Sequence, residues 1–206
     1  MNKCVVFDID GTLFDTKSGI IEAINFVLDS YGLEPIAKEN EDRFIGPPIK
    51  NSFENYYGLS ESESNVAASK YREAYTKSFI VKTTEYLGMQ SVLSEIRNHG
   101  WGVGIASMKT LPQINRLLSM FNCENLFSFV EGAREDGSYS KTQMLYNIKQ
   151  NNPSYDEYIM VGDTRGDLMA ARESGFSFVA ADYGYGVIND IECIHIADIR
   201  DLVNVL

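Results

Sequence analysis

The chain of 206 residues carries 29 acidic side chains against 18 basic ones, a formal net charge of -11. That balance argues against a nucleic-acid partner, because binding a phosphate backbone rests on clustered lysine and arginine. Cys4, Cys123 and Cys193 form no Cys-x-x-Cys pair, and only a four-residue apolar run precedes Asp8. The expectation is a protein of a reducing cytoplasm with neither a disulfide framework nor a signal peptide or membrane span in that stretch.

The first predicted element is an apolar strand, Cys4 to Phe7, that ends in Asp8 and Asp10 and turns at Gly11. Residues two apart in a strand share a face, so the two carboxylates project together while Ile9 points away. Held that close they repel unless a cation or a shared proton intervenes. An isolated Asp-x-Asp reads more simply as a polar strand end, but this one sits in Asp-x-Asp-Gly-Thr-Leu-x-Asp. For nearly seventy positions afterwards the pattern is helical. Ile20, Ile24, Val27, Leu28 and Tyr31 predict a helix over 17–31 closed by Gly32. Gly46-Pro47-Pro48 breaks the run, and helices follow at 49–57 and 61–80. An all-helical block inside a chain that opens with a strand reads as an inserted lid, residues 16–83, within a core of 1–15 and 84–206.

From about residue 84 strands and helices alternate. Helices are expected at Met89–Asn98, Leu111–Phe121 and Lys141–Lys149, at a segment ending on Ser174-Gly175, and from Ile199 onward. Strands are expected at Trp101–Ala106, Phe127–Glu131, Tyr158–Val161, Phe176–Ala180 and Cys193–Ile196. Such alternation predicts an α/β fold, a doubly wound parallel sheet with helices on both faces.

Ligands of open α/β sheets bind beyond the carboxyl ends of the strands, so polar residues just after apolar strands are the candidates. Asp8 and Asp10 meet this test, as do Ser107 with Lys109 two positions on, and Asp163 with Asp167 within reach if the intervening turn is helical. Ser140-Lys141-Thr142-Gln143 has the form of a capping box, which puts Lys141 in the first turn of a helix. A cation gains nothing there from the helix dipole without a nearby anion. Taken alone, Lys141 is also compatible with a solvated surface lysine.

The ordered set Asp8/Asp10, Ser107, Lys141 and Asp163/Asp167 resembles the four motifs of the haloacid dehalogenase (HAD) phosphohydrolase superfamily. The helical insert is similar to the cap of its phosphoglycolate phosphatase and β-phosphoglucomutase-like branch. The resemblance implies a HAD-like Rossmannoid core with an inserted all-helical cap. It implies Asp8 as the nucleophile that takes the phosphoryl group and Asp10 as general acid/base. Ser107 and Lys141 would then bind the phosphoryl oxygens. Mg²⁺ would be held by Asp8, Asp163, Asp167 and the backbone carbonyl of Asp10. Lys109 is a further candidate substrate contact, as are Arg43 and Gly46 in the cap loop, a stretch that reads equally as a helix-breaking turn with a solvent-facing arginine. Met108 stands where relatives often carry a polar residue, and Thr142 where proline is frequent. His99 and His195 have no third metal ligand in view and are read as structural.

The function implied is Mg²⁺-dependent hydrolysis of a small phosphorylated metabolite, such as phosphoglycolate, a sugar phosphate, a nucleotide monophosphate or pyrophosphate. It would proceed through an aspartyl-phosphate in a cytoplasmic monomer or weak homodimer with no nucleic-acid or membrane partner. A phosphosugar mutase on the same scaffold and a non-catalytic phosphate-sensing or partner-binding module are the alternatives.

Overall fold

The computed structural model describes residues 1–206. The chain divides into two compact units, Met1–Asp15 with Glu85–Leu206, and Thr16–Thr84. The first is built on a six-stranded sheet of β1 (Lys3–Phe7), β4 (Gly102–Thr110), β5 (Phe129–Ala133), β6 (Glu157–Gly162), β7 (Ser177–Ala181) and β8 (Ile194–Ile196), in the order β5-β4-β1-β6-β7-β8. Every pairing is parallel. β1 lies in the middle, with Val5 opposite Val103 of β4 on one side and Ile159 of β6 on the other. A parallel register puts all the carboxyl ends on one rim, and the order reverses direction at β1, where such sheets bind ligands.

Both faces of the sheet are apolar, as buried parallel strands require. Cys4, Val6, Met160, Phe178 and Ala180 form one cluster with Met144, Leu145 and Ile148 of α6 (Lys141–Asn151) and Leu168, Ala170 and Ala171 of α7 (Arg165–Ser174). Residues of opposite parity, Val5, Phe7, Val103, Ile105 and Val161, are also buried. β4 and β5 are packed by α4 (Met89–Asn98) and α5 (Leu111–Met120), which bury Val92, Leu93, Ile96, Ile114 and Leu117. Each buried aliphatic side chain contributes about 1.5 to 3 kcal/mol.

The second unit holds α1 (Lys17–Asp29), α2 (Ile49–Tyr57) and α3 (Glu61–Ala74), with a 3₁₀ segment at Lys38–Phe44. The stripe Ile20, Ile24, Val27 and Leu28 of α1 is buried, and α1 packs on α3. Ser60 and Glu63 close a reciprocal capping box at the start of α3. No helix of the chain is long and apolar enough to cross a membrane.

Three expectations on the elements need correction. The helix expected over 61–80 is α-helical only to Ala74, then widens into a π-turn at Tyr75–Phe79 and a 3₁₀ turn at Ile80–Lys82. The Thr76 hydroxyl donates back to the Arg72 carbonyl at 2.7 Å, a competing bond of the kind that bends helices, and Tyr75 is fully buried. Short strands β2 (Phe14–Asp15) and β3 (Thr84–Glu85) form a two-stranded sheet where no strand was expected. Finally, β4 does not stop at Ala106 but runs to Thr110, so Ser107 and Lys109 lie within it rather than after it.

Candidate active site

The site grows from the ends of β1 and β6. Asp8 prolongs β1 by donating its N–H to the Val161 carbonyl at 3.0 Å. The chain then turns sharply, the N–H groups of Thr12, Leu13 and Phe14 converging on the Ile9 carbonyl, with Gly11 at φ +75°. A side chain at Gly11 would come within 2.2 Å of Asp163 Oδ2, and one at Gly184 within 2.3 Å of the Asp163 Cβ. Asp163 follows β6, and its Oδ2 accepts the backbone N–H of Tyr185 at 2.8 Å and of Gly186 at 3.3 Å. The buried Thr12 hydroxyl lies 3.4 Å from its Oδ1.

Asp167 reaches the same place from the first turn of α7. Thr164 is the N-cap, its hydroxyl accepting the Asp167 N–H at 3.2 Å, while Asp167 Oδ2 accepts the Thr164 N–H at 3.0 Å and hydroxyl at 2.7 Å. One oxygen of Asp167 thus fixes the helix start, and the other, Oδ1, takes the Lys141 ammonium. Lys141 begins α6 behind the Ser140–Gln143 capping box. Its Nζ bridges Asp167 and Asp8, lying 3.0 Å from Asp8 Oδ1. The anions that a lysine needs at a helix N-terminus are those two carboxylates.

The electrostatics of this cluster are adverse. Burial pushes the Asp8 carboxyl up to about 6, opposed by Lys141 and reinforced by Asp167 and Asp10. Asp163 is pushed up to about 8 by burial and then by the Asp167 and Asp8 charges, against the two backbone N–H donors. Burial works to deprotonate Lys141, but Asp167 and Asp8 together outweigh it and hold the ammonium above its ordinary pKa. Oxygens of Asp8, Asp163 and Asp167 all lie within 4.8 Å of one another. Asp8 Oδ1 is buried and meets the Lys141 ammonium at ion-pair distance. Three buried carboxylates that share a single ammonium fit a hard divalent cation such as Mg²⁺.

Other candidates are placed as follows. Ser107 is fully buried and its hydroxyl accepts the Lys109 N–H at 3.3 Å. The Asp10 carboxylate is outside the trio and pairs with Lys109 Nζ at 2.9 Å. Arg43 and Gly46 belong to the helical unit, Arg43 exposed at the end of the 3₁₀ segment and Gly46 at φ +98°. His99 stacks on Trp101, and His195 sits between Asp182 Oδ1 and the Asp190 carbonyl, each at 2.8 Å. The residues that escaped the sequence reading are Thr12, Thr164 and the Gly184-Tyr185-Gly186 loop. That loop follows the apolar strand β7, so the strand-end test applied to one more strand would have found it.

Comparison with known proteins places this geometry. Residues 5–181 match the family model of haloacid dehalogenase-like hydrolases. The chain belongs to that family. Within it the chain is a phosphatase-type hydrolase. A 5'-nucleotidase of Pseudomonas aeruginosa is 24% identical over 97% of this chain and 94% of its own length. The tyrosine-protein kinase PtkA of Mycobacterium tuberculosis is 30% identical over 89% of this chain, which spans 63% of PtkA. The crystal structure of a predicted phosphatase from Clostridium acetobutylicum superposes with a TM-score of 0.90 at 24% identity, covering 98% of this chain and 96% of that one. The α/β Rossmannoid fold agrees with the reading of the strand and helix pattern.

Proposed function

We propose that the protein is a Mg²⁺-dependent phosphatase of small phosphorylated metabolites that works through an aspartyl-phosphate on Asp8. The observation that carries this reading is the buried Asp8 carboxylate set between the Lys141 ammonium and two further carboxylates. Asp8, Asp163 and Asp167, with the Asp10 backbone carbonyl, would hold the Mg²⁺. Bound there, the cation would offset the repulsion between the Asp8 carboxylate and a phosphate dianion.

Asp8 attacks phosphorus in line, forming the Asp8–phosphorus bond as the bond to the leaving oxygen breaks. Asp10 gives its proton to that oxygen. In the second half Asp10 takes a proton from the attacking water, whose oxygen displaces Asp8 and releases inorganic phosphate. Ser107 and Lys141 orient the phosphoryl oxygens, and Lys141 is kept charged for that task by its two carboxylates. On this reading the helical insert, residues 16–83, is the cap of the family, with Arg43 and Gly46 its candidate substrate contacts. Glycine is suited to the latter position, since φ +98° disfavours any side chain.

The test is phosphate release from p-nitrophenyl phosphate by the purified protein. Release should require Mg²⁺ and vanish in Asp8→Asn, and beryllium fluoride should inhibit only when Mg²⁺ is present. Undiminished turnover by Asp8→Asn would remove the nucleophile assignment. Ranking kcat/KM across phosphorylated metabolites then names the substrate.

A further inference from the structure

Four acidic residues and two lysines share this rim, and the structure divides them unevenly. Lys141 serves Asp8 and Asp167, whereas Lys109 pairs with Asp10. Asp10 is only two residues from Asp8, and its charge is felt there, adding to the upward push on the Asp8 carboxyl. Even so, its carboxylate is not part of the trio formed by Asp8, Asp163 and Asp167. The Lys109 and Asp10 side chains are 4% and 12% exposed, so the pair lies in a low-dielectric setting where its attraction is strong.

Lys109 reaches Asp10 through a backbone device. Along β4 and β5 the register advances from Ser107 opposite Gly132 to Thr110 opposite Ala133, leaving Met108 and Lys109 as an extra pair on β4. Bulges of this kind re-aim side chains beside active sites. β5 is shaped to accept it, since a Cβ at Gly132 would come within 2.9 Å of the Lys109 carbonyl oxygen.

We propose that Lys109 is the positioning residue that holds the Asp10 carboxylate out of the metal-binding trio, reserving it for proton transfer. A carboxylate so near the trio and without a cation of its own would turn to the metal as a fourth ligand. It would then be lost as acid and base. This inference rests on the reading of Asp10 as the proton-transfer group, and it replaces the expectation that Lys109 contacts substrate.

The experiment compares Lys109→Met, Lys109→Arg, Asp10→Asn and the Lys109→Met/Asp10→Asn double variant of the full chain. Mg²⁺ binding without substrate is followed by calorimetry, and turnover of p-nitrophenyl phosphate by steady-state kinetics. Lys109→Met should tighten Mg²⁺ about threefold or more, as a carboxylate joins the ligand set. It should lower kcat about tenfold or more with KM within about twofold, and Lys109→Arg should keep both near wild type. In the Asp10→Asn background the Lys109→Met change should leave Mg²⁺ affinity where it was.

A raised KM at unchanged kcat would make Lys109 a substrate contact and overturn the proposal. An equal shift of Mg²⁺ affinity with and without Asp10, or no shift at all, would overturn it as well. Should Lys109→Met not fold, Asp10→Asn alone decides, because loss of Mg²⁺ affinity there would place Asp10 among the ligands already. A wild-type protein that turns over no phosphoester would refute the phosphatase reading, while the calorimetric comparison still judges Lys109.

Discussion

The rim of the sheet and the helical unit use charge in opposite ways. At the rim, Asp8, Asp163, Asp167 and Lys141 are buried and crowded, and two of the three acids are pushed toward their protonated forms. In the helical unit, Lys82 pairs with Glu22, Lys77 with Glu73, and Lys50 with Glu54 and Glu61, mostly at partly or largely exposed positions. Exposed pairs stabilise weakly and ask nothing of a ligand. Buried like charges destabilise the fold until something binds them, which is the usual mark of a site kept for function rather than stability.

The largest effect expected from this contrast is on chemistry. Asp10→Asn should lower kcat by about 10²- to 10⁴-fold, the usual weight of a general acid/base, with circular dichroism showing that the fold is retained. An Asp10→Asn protein as active as the parent would show that the rim's crowding has no catalytic purpose at that residue.

The next effect is on the balance between stability and metal. Asp163→Asn should raise the Tm of the metal-free protein by removing a buried like charge, while weakening Mg²⁺ binding about tenfold or more. Calorimetry on one preparation with and without Mg²⁺ measures both, and a lower metal-free Tm would mean that the Tyr185 and Gly186 N–H groups outweigh the repulsion.

The pH dependence follows from the same group. The Asp163 carboxyl lies at about 8 in the folded chain against an ordinary 3.8. As pH rises above the ordinary value the unfolded chain loses this proton first, so the stability present in acid is lost progressively until pH passes the folded value. Asp8, raised to about 6, acts in the same sense over a narrower window. The rise in Tm produced by Mg²⁺ should therefore be larger at about pH 8 than at about pH 5.5. An equal rise at both pH values would put the cation elsewhere.

The smallest effect belongs to the helical unit. Lys82→Met removes the exposed partner of Glu22 and should cost less than about 1 kcal/mol in denaturant unfolding. A loss of several kcal/mol would erase the contrast between the two regions.

Much of the site was legible because each group lies at an element boundary that local rules mark. Asp8 and Asp163 follow apolar strands, and Lys141 follows a capping serine. Asp167 was legible as a neighbour of Asp163, but its double duty was not, since the second partner of its carboxylate is 26 residues away on α6. The end of β4 was misplaced for a related reason. Ser107, Met108, Lys109 and Thr110 have no strong strand pattern, and only pairing with β5 across a bulge keeps them in the sheet. The π-turn at Tyr75–Phe79 likewise depends on the burial of Tyr75, which periodicity cannot report.

The sequence by itself determined the α/β alternation, the helical insert and the family of chemistry, because apolar periodicity, caps and short motifs are local properties of a chain. Which lysine meets which carboxylate was decided by tertiary structure alone. Asp10 and Lys109 are 99 positions apart and Asp8 and Lys141 are 133 apart. Such pairings depend on strand order and register in a parallel sheet, and on a two-residue bulge that no local propensity encodes.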